Sequence, residues 1–265
     1  MKRPELTASL VPLLRGLKLP GFVTAYEPFA QQAEREGWTH PEYLRRLVEL
    51  ELTERQQRRI ERLRKGSGLP HDKTLGALKT EKLPAKVRRQ VPALCEGGFV
   101  ERAENVLAFG LPGRGKTHLL AAIGHELVQR GYAVLFTPAY RLVQRLLAAK
   151  RDLLLDRELK RLDAYDAVIL DDLGYVQQDR EEMEVLFTFL SERYERRSVM
   201  ITSNLVFSQW DQIFKNPMTT MAAIDRLVHH AIILEMAGPS IREEEAKAGR
   251  RGSADSHPSA PEATT

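Results

Sequence analysis

The stretch Gly110-Leu-Pro-Gly-Arg-Gly-Lys-Thr117 constrains this chain more than any other, because it matches the phosphate-loop pattern G-x-x-x-x-G-K-[ST] at every fixed position. An apolar run of strand length, residues 105–110, comes before it, and residues 117–130 after it are apolar at helical spacing. This order of strand, loop and helix is the context that the motif requires. The pattern therefore predicts a nucleotide site in an α/β fold.

The residue types in the loop account for the predicted chemistry. Glycines let the backbone curl so that successive N–H groups point at phosphate oxygens, and the following helix adds the positive end of its dipole. Lys116 is expected to meet the β- and γ-phosphates as a point charge, and Thr117 to offer its hydroxyl to Mg²⁺. We therefore expect ATP and Mg²⁺ as cofactors. The residues expected to hold the nucleotide are Gly110, Leu111, Pro112, Gly113, Arg114, Gly115, Lys116, Thr117 and His118.

Further strands and helices alternate after the loop. Short apolar runs at 133–138, 165–170, 198–204 and 231–235 are predicted strands, and 140–154 and 181–197 are predicted helices. Such an alternation predicts a parallel sheet with helices on both faces. In these sheets the ligand binds at the carboxyl ends of the strands.

Polar side chains follow two of the predicted strands at that edge. Asp171 and Asp172 come after a buried strand in the form of a Walker B element, and Asn204 ends the next strand. Asp171 is predicted to hold Mg²⁺ opposite Thr117, Asp172 to polarise the attacking water, and Asn204 to orient that water or contact the γ-phosphate. The alternatives are a solvated strand end for the two aspartates and a turn cap for Asn204.

The first 75 residues are predicted to form a small all-helical domain with helices at 3–17, 20–36 and 41–65. Between Pro41 and Gln90 there are fourteen Lys or Arg against seven Asp or Glu, a surplus larger than the net charge of +4. This surplus favours contact with an anionic polymer. The alternative is a solvated helix face whose arginines pair with nearby glutamates. In that case the DNA surface is expected elsewhere, on the helix at 140–151.

Length and composition set the remaining bounds. The 265 residues are divided into a helical DNA-binding and assembly domain (1–75), an ATPase domain (76–243) and a disordered tail (244–265). Cys95 is the only cysteine, so no intrachain disulfide forms, and no Cys/His cluster has zinc spacing. The apolar runs are far shorter than the roughly 20 residues of a membrane span. We expect a cytoplasmic protein with no membrane partner.

These motifs together resemble those of the IstB-type ATPases, the transposition helpers of bacterial insertion sequences, which are related to DnaC-type helicase loaders in the AAA+ superfamily of P-loop NTPases. The resemblance covers nearly all of the chain. It rests on Leu17-Lys-Leu-Pro-Gly21, Phe109 to His118, Asp171-Asp-Leu-Gly-Tyr175, Glu192-Arg-Tyr-Glu-Arg196, Thr202-Ser-Asn204, Trp210, Asp225-Arg-Leu-Val-His-His230 and Gly238-Pro-Ser-Ile-Arg242.

The resemblance implies roles for individual residues. Arg226 matches an arginine finger that reaches the nucleotide of a neighbouring subunit, so a homo-oligomer is implied, and Asn204 matches the sensor at its strand end. Arg242 lies where a second sensor arginine acts, although Gly238 to Arg242 departs from the usual Gly-Glu-Ser-Tyr-Arg. Asp172 stands where most AAA+ proteins have Glu, which is compatible with slower hydrolysis.

The implied function is ATP-dependent assembly on duplex DNA and delivery of that DNA to a cognate transposase. Three alternatives remain open on the sequence. A replicative helicase loader uses the same ATPase with single-stranded DNA and a helicase. A small-molecule P-loop kinase lacks the Thr-Ser-Asn strand end seen here. A nucleotide-gated DNA-binding scaffold with negligible turnover is compatible with Asp172.

Overall fold

The computed structural model describes residues 3–175, 180–205 and 225–237. The chain divides into two compact units, Met1–Arg62 and Leu63–Thr265, and the division falls in the last turns of a long helix, His40–Gly66. The boundary expected near residue 75, with its assignment of DNA binding to the first part, stays a prediction. The expected tail at 244–265 lies outside the described residues.

Three helices make up the described part of the first unit, as the helical spacing and the Pro and Gly breaks predicted. They are α1 (Arg3–Gly16), α2 (Pro20–Glu36) and α3 (His40–Gly66). A buried carboxylate joins α2 to α3, because Glu51 accepts a hydrogen bond from the backbone N–H of Gly21 at 2.7 Å and one from Arg55 Nε at 2.6 Å. Arg55 also donates to the carbonyl oxygen of Lys18 at 2.7 Å.

The second unit is built on a five-stranded parallel sheet in the order β2-β3-β4-β1-β5. The strands are β1 (Asn105–Phe109), β2 (Val134–Pro138), β3 (Ala167–Asp171), β4 (Ser198–Ser203) and β5 (Ala231–Glu235). The strands predicted from the apolar runs are confirmed to within two residues at each end. The three central strands β3, β4 and β1 are buried almost throughout, because helices cover both of their faces.

The helices of the second unit are α4 (Ala85–Glu96), the single turn α5 (Gly98–Glu101), α6 (Lys116–Gln129), α7 (Ala139–Arg151), α8 (Leu155–Asp163) and α9 (Arg180–Arg193). Successive side chains of a strand point to opposite faces of the sheet. Val168 and Leu170 pack with α7, α8 and α9, whereas Ile169 lies against Gly124 of α6. Sequence reasoning missed α8, although Leu155, Leu159 and Leu162 recur at the spacing of an amphipathic helix.

A segment before α4 runs beside the sheet and borders the end of it that carries the phosphate loop. The carbonyl oxygen of Ser67 accepts a hydrogen bond from Phe136 N–H of the edge strand β2 at 2.7 Å, and Leu69 is buried. His125 of α6 lies 2.9 Å from the carbonyl oxygen of Pro70, and His118 lies 3.1 Å from that of Thr74. These contacts hold residues 67–74 along α6.

No helix within the described ranges is long and apolar enough to span a bilayer.

Candidate nucleotide site

The phosphate loop connects β1 to α6. Gly110 leaves β1 at a φ of 149°, and a Cβ atom there would lie 2.5 Å from the carbonyl oxygen of Met236. Glycine is therefore required at this position, because a side chain would collide with backbone that follows β5. Gly115 at φ 80° forms the residue before α6, so the helix begins at Lys116 and its first N–H groups face the loop.

Lys116 points into the loop rather than into solvent, with 6% of its surface exposed. Its ammonium group donates to the carbonyl oxygens of Gly110 at 2.6 Å and Leu111 at 3.0 Å, and to Asn204 Oδ1 at 2.6 Å. An ammonium group carries three protons, so these three neutral acceptors match its donors in number. These contacts place the ammonium group at the phosphate loop, between β1 and the end of β4.

The ends of β3 and β4 carry a second hydrogen-bonded group. Asn204 Nδ2 donates to Asp172 Oδ1 at 2.9 Å, so the amide of Asn204 connects Lys116 with Asp172. Thr202 Oγ1 donates to Asp171 Oδ1 at 2.7 Å and accepts from the backbone N–H of Asp172 at 2.8 Å. The pairs Asn204–Asp172 and Thr202–Asp171 are thus linked through the backbone N–H of Asp172, and the roles predicted for these residues stay predictions.

These groups border one cleft of about 490 Å³. Ten of its lining residues come from the phosphate loop, α6 and the strand ends, namely Pro112, Gly113, Arg114, Gly115, Lys116, Thr117, His118, Asp172, Thr202 and Asn204. The predicted residues Gly110 and Leu111 contribute carbonyl oxygens to Lys116, and Asp171 contacts Thr202. The structure thus brings together all the predicted nucleotide and metal residues from Gly110 to Asn204.

One wall of the cleft was not predicted from the sequence. Asp72, Lys73, Ala77, Leu78 and Lys79, from the segment before α4, line it opposite the loop. That segment was interpreted only as a linker packed on the ATPase domain. It has no motif, and its place depends on the contacts of Ser67, Pro70 and Thr74 described above.

Arg226 is not part of this cleft. It lies in the helical turn 225–228 that precedes β5, where it donates to Ser191 Oγ and stacks over the Phe187 ring at 4.9 Å. Asn105 at the start of β1 fixes this turn by donating to the carbonyl oxygen of Leu227 at 3.1 Å. The loop follows the other end of β1, about 13 Å away for a five-residue strand. Arg226 therefore lies at the end of the sheet where the strands begin, whereas the phosphate loop lies where they end.

Two other expectations from the sequence concern Arg242 and the pair His229 and His230. Arg242, the expected second sensor, lies outside the described residues, as does Trp210. His229 and His230 had no partner at metal-ligand spacing in the sequence, but the fold brings the exposed carboxylate of Glu195 to them, with the ligand atoms of the three within 4.8 Å of one another. His229 Nδ1 also lies 3.0 Å from the Tyr194 hydroxyl.

Arg193 is a buried residue for which the sequence predicted no structural role. Its guanidinium donates to the carbonyl oxygens of Leu162, Tyr165 and Ser198 at 2.9–3.0 Å, which ties the start of β4 to the segment before β3. Burial lowers its pKa to about 10. The group remains charged at neutral pH and sets the relative position of the two strands whose far ends carry Asp171 and Asn204.

The cleft fits a nucleotide and a divalent cation on its own chemistry. The loop offers backbone N–H groups and the ammonium group of Lys116 for phosphate oxygens, and Lys116 is held at the loop by its contacts with Gly110, Leu111 and Asn204. Carboxylate and hydroxyl oxygens, the ligands that Mg²⁺ prefers, are supplied by Asp171 and Thr117.

Comparisons with known proteins agree with this site. Residues 12–249 match the family of IstB-like ATP binding proteins. The chain is 45% identical over 240 residues to an insertion-sequence ATP-binding protein of Sinorhizobium fredii, covering 90% of this chain and 80% of that protein. It is 38% identical over 238 residues to the IS21 ATP-binding protein of Pseudomonas aeruginosa, covering 89% and 90%.

Solved structures share the fold. DnaI superposes with a TM-score of 0.53 at 22% identity, covering 64% of this chain and 95% of that one. The replication initiator DnaA, bound to AMPPCP and single-stranded DNA, superposes with a TM-score of 0.56 at 19% identity, covering 70% and 56%. The expected AAA+ architecture behind a helical N-terminal region is confirmed, and the chain belongs to the IstB-like ATP-binding protein family of insertion sequences.

Proposed function

We propose that this protein is a Mg²⁺-dependent ATPase that assembles on duplex DNA and helps a cognate transposase to select and receive its target. The observation that supports the ATPase activity best is the continuous hydrogen-bonded group of Lys116, Asn204, Asp172, Thr202 and Asp171 at one edge of the sheet. A solvated strand end has no reason to be joined to the lysine of a phosphate loop. Transposition is proposed from the family alone.

The residues have the following roles in this proposal. Lys116 exchanges one or more of its present acceptors for phosphate oxygens, and Gly110 to His118 hold the nucleotide. Thr117 and Asp171 hold Mg²⁺, which neutralises charge on the phosphates when it is bound. Asp172 accepts a proton from the attacking water, and Asn204 keeps that carboxylate and Lys116 at a fixed separation. Arg242 is proposed as a second sensor on the resemblance only.

The place of Arg226 supports an active site shared between subunits. It lies where the strands begin, at the other end of the sheet from its own phosphate loop. It therefore cannot complete its own cleft without a large rearrangement of β5. A homo-oligomer in which Arg226 contacts the nucleotide of a neighbour gives this arginine a use. Fingers supplied in this way raise rates by about 10³- to 10⁵-fold in other nucleotide hydrolases.

Mixing two inactive variants tests the shared site. Lys116→Ala removes the phosphate lysine and keeps the finger, whereas Arg226→Ala keeps the cleft and removes the finger. We expect each variant alone to lack ATPase activity and their mixture to regain part of it, because Lys116→Ala subunits supply Arg226 to intact clefts. Arg130→Ala, on the exposed end of α6, is the matched control. Hydrolysis by Arg226→Ala alone at the wild-type rate would exclude the shared site.

Four arginines of α3 form ion pairs with glutamates of the same helix. Its salt bridges follow the helical spacing, with Arg45–Glu49 at 3.3 Å, Arg46–Glu42 at 3.1 Å, Arg55–Glu51 at 2.6 Å and Arg58–Glu51 at 3.4 Å. Trp38 packs under Arg46 and against Phe29. These pairings support the paired interpretation of the helix that the sequence left open.

The pair α7 and α8 is better suited to contact phosphates. Four exposed cations there have no ion pair within the described ranges, namely Arg141, Arg151, Arg157 and Lys160. We therefore propose that duplex DNA contacts the second unit through α7 and α8. The sequence left the helix at 140–151, which is α7, as the alternative surface, and α8 adds to it. Binding by several subunits would add these weak contacts together.

The salt dependence of binding separates the two surfaces. Replacing a phosphate-contacting cation reduces the slope of log K against log salt by about one. We expect Arg151→Gln and Arg157→Gln to reduce it with duplex DNA, and Arg62→Gln on α3 to leave it unchanged. The opposite pattern would move the DNA surface to α3. Tighter binding of single strands than of duplex would favour the helicase-loader alternative, and negligible ATP turnover with and without DNA would favour the scaffold.

A further inference from the structure

Thr202 occupies the penultimate position of β4 and is 1% exposed. Its hydroxyl has two partners that fix the direction of each bond. The backbone N–H of Asp172 can only donate, so Thr202 Oγ1 accepts from it at 2.8 Å. The single hydroxyl proton is then used toward Asp171 Oδ1 at 2.7 Å. One buried side chain therefore contacts both acidic residues that follow β3.

The hydrogen bond from the backbone N–H of Asp172 to Thr202 stabilises an uncommon backbone conformation at Asp172. Asp172 has a φ of 63°, in the left-handed region that residues other than glycine rarely adopt. Such conformations persist only where the surroundings hold them. Here Thr202 holds the backbone N–H of Asp172, and Asn204 holds its carboxylate at 2.9 Å. Two residues at the end of β4 thus determine where the carboxylate of Asp172 lies.

The contact with Asp171 leaves one oxygen of that carboxylate hydrogen-bonded within the protein. A hydrogen bond to one oxygen fixes the rotation of the carboxylate, which limits where the other oxygen can lie. Partners of this kind orient the residues that bind a metal ion. Thr202 is 1% exposed, so its hydroxyl is held between these two partners rather than by bulk solvent.

We propose that Thr202 is a positioning residue of the ATPase site, whose hydroxyl sets the orientation of Asp171 toward the divalent cation and the backbone of Asp172 beside it. This inference rests on the proposed ATPase function. Threonine suits the task better than serine does, because its γ-methyl group restricts χ1 and keeps the hydroxyl between its two partners. Valine has nearly the same shape but lacks both hydrogen bonds.

Metal binding tests the proposal without relying on turnover. The affinity for Mn²⁺ in the presence of ADP is measured by electron paramagnetic resonance for the wild type, Thr202→Val and Thr202→Ser. Thr188→Val, on α9, is the matched control, since the hydroxyl of Thr188 bonds only to the carbonyl oxygen of Glu184 in its own helix. ADP affinity without a divalent cation, the melting temperature and the ATPase kcat are measured on the same samples.

We expect Thr202→Val to bind Mn²⁺ about 10- to 100-fold more weakly and to lose kcat by a similar factor, the range seen when partners of metal ligands are removed. Its affinity for ADP without metal should stay within about twofold of the wild type. Thr202→Ser should bind Mn²⁺ within about threefold of the wild type, and Thr188→Val should not differ.

Unchanged Mn²⁺ affinity in Thr202→Val would overturn the proposal. A Thr202→Ser variant that binds Mn²⁺ about 10-fold or more weakly than the wild type would overturn it too, and this comparison with the wild type remains available if the valine variant does not fold. A wild-type protein that binds ADP and Mn²⁺ but does not hydrolyse ATP would remove the ATPase proposal, while the metal measurement would still decide the role of Thr202.

Discussion

Replacing Asn204 by aspartate should weaken nucleotide binding through Lys116. In the structure the Lys116 ammonium lies 2.6 Å from Asn204 Oδ1 and also contacts two backbone carbonyl oxygens. A carboxylate in place of the amide turns this contact into an ion pair that competes with phosphate for the ammonium. The same carboxylate repels Asp172, whose Oδ1 lies 2.9 Å from Asn204 Nδ2, and is therefore pushed further toward Lys116.

The strength of a hydrogen bond to a charged group gives the magnitude. Such bonds contribute about 1.5–3 kcal/mol, so ADP should bind roughly 10- to 150-fold more weakly to Asn204→Asp than to the wild type. Asn204→Ala releases Lys116 from the same contact and leaves it two carbonyl oxygens. We expect that variant to bind ADP within about threefold of the wild type, because alanine adds no negative charge that competes with phosphate for the ammonium.

Titration of a fluorescent ADP measures both affinities, and ADP is chosen because it has no γ-phosphate for Asn204 to contact. Gln32→Glu, on exposed α2, carries the same amide-to-carboxylate change and serves as the control for added charge. If Asn204→Asp binds ADP as tightly as Asn204→Ala, the contact between Asn204 and Lys116 does not govern the ammonium, and the reasoning is wrong.

Three further predictions concern the framework of the site. Arg193→Met leaves buried carbonyl oxygens without their donor and should cost about 3 kcal/mol or more, seen as a fall in Tm of about 6–12 °C. Gly110→Ala should destabilise the protein and abolish ADP binding. Gly131 has a φ of 91° but no atom within 4 Å of its Cβ position, so Gly131→Ala should bind ADP normally. Equal effects of the two substitutions would exclude the collision with Met236 as the cause. Glu51→Gln should cost about 1–2 kcal/mol at pH 7, because the ion pairs with half-exposed arginines are lost.

The pH dependence of the Glu51→Gln effect follows from its direction of shift. Burial acts to raise the pKa of Glu51, but the hydrogen bonds from Arg55 and Gly21 and the nearby arginine charges lower it below the ordinary 4.5. A carboxyl group with a lowered pKa contributes stability above its unfolded-state pKa, and that stability is lost as the pH falls through the lower, folded-state value. Unfolding followed by circular dichroism should show the wild-type advantage constant from pH 7 to about 5 and shrinking below pH 4.5. A constant difference down to pH 3 would contradict this cause.

The sequence was sufficient to predict the succession of strands and helices along the chain. It was also sufficient to predict a cleft at the carboxyl ends of the strands. The apolar runs of β1, β3 and β4 and the phosphate loop predicted a parallel sheet, and the rule that ligands bind at carboxyl ends of parallel strands placed Asp171 and Asn204 near the loop. These predictions succeeded because a buried parallel strand needs consecutive apolar residues and a phosphate loop needs glycines, and both leave local patterns. The role of each site residue stays a prediction.

Only the tertiary structure decided which side chains meet. The bridge from Lys116 through Asn204 to Asp172, and the hydroxyl of Thr202 between the two aspartates, depend on strands β3, β4 and β1 lying side by side, which spacing along the chain does not reveal. The wall formed by residues 72–79 and the placement of Arg226 at the opposite edge of the sheet depend on long-range contacts as well. The sequence determined the local elements and their chemistry because those follow from neighbouring residues, whereas the pairing of distant charges and hydroxyls was decided by packing.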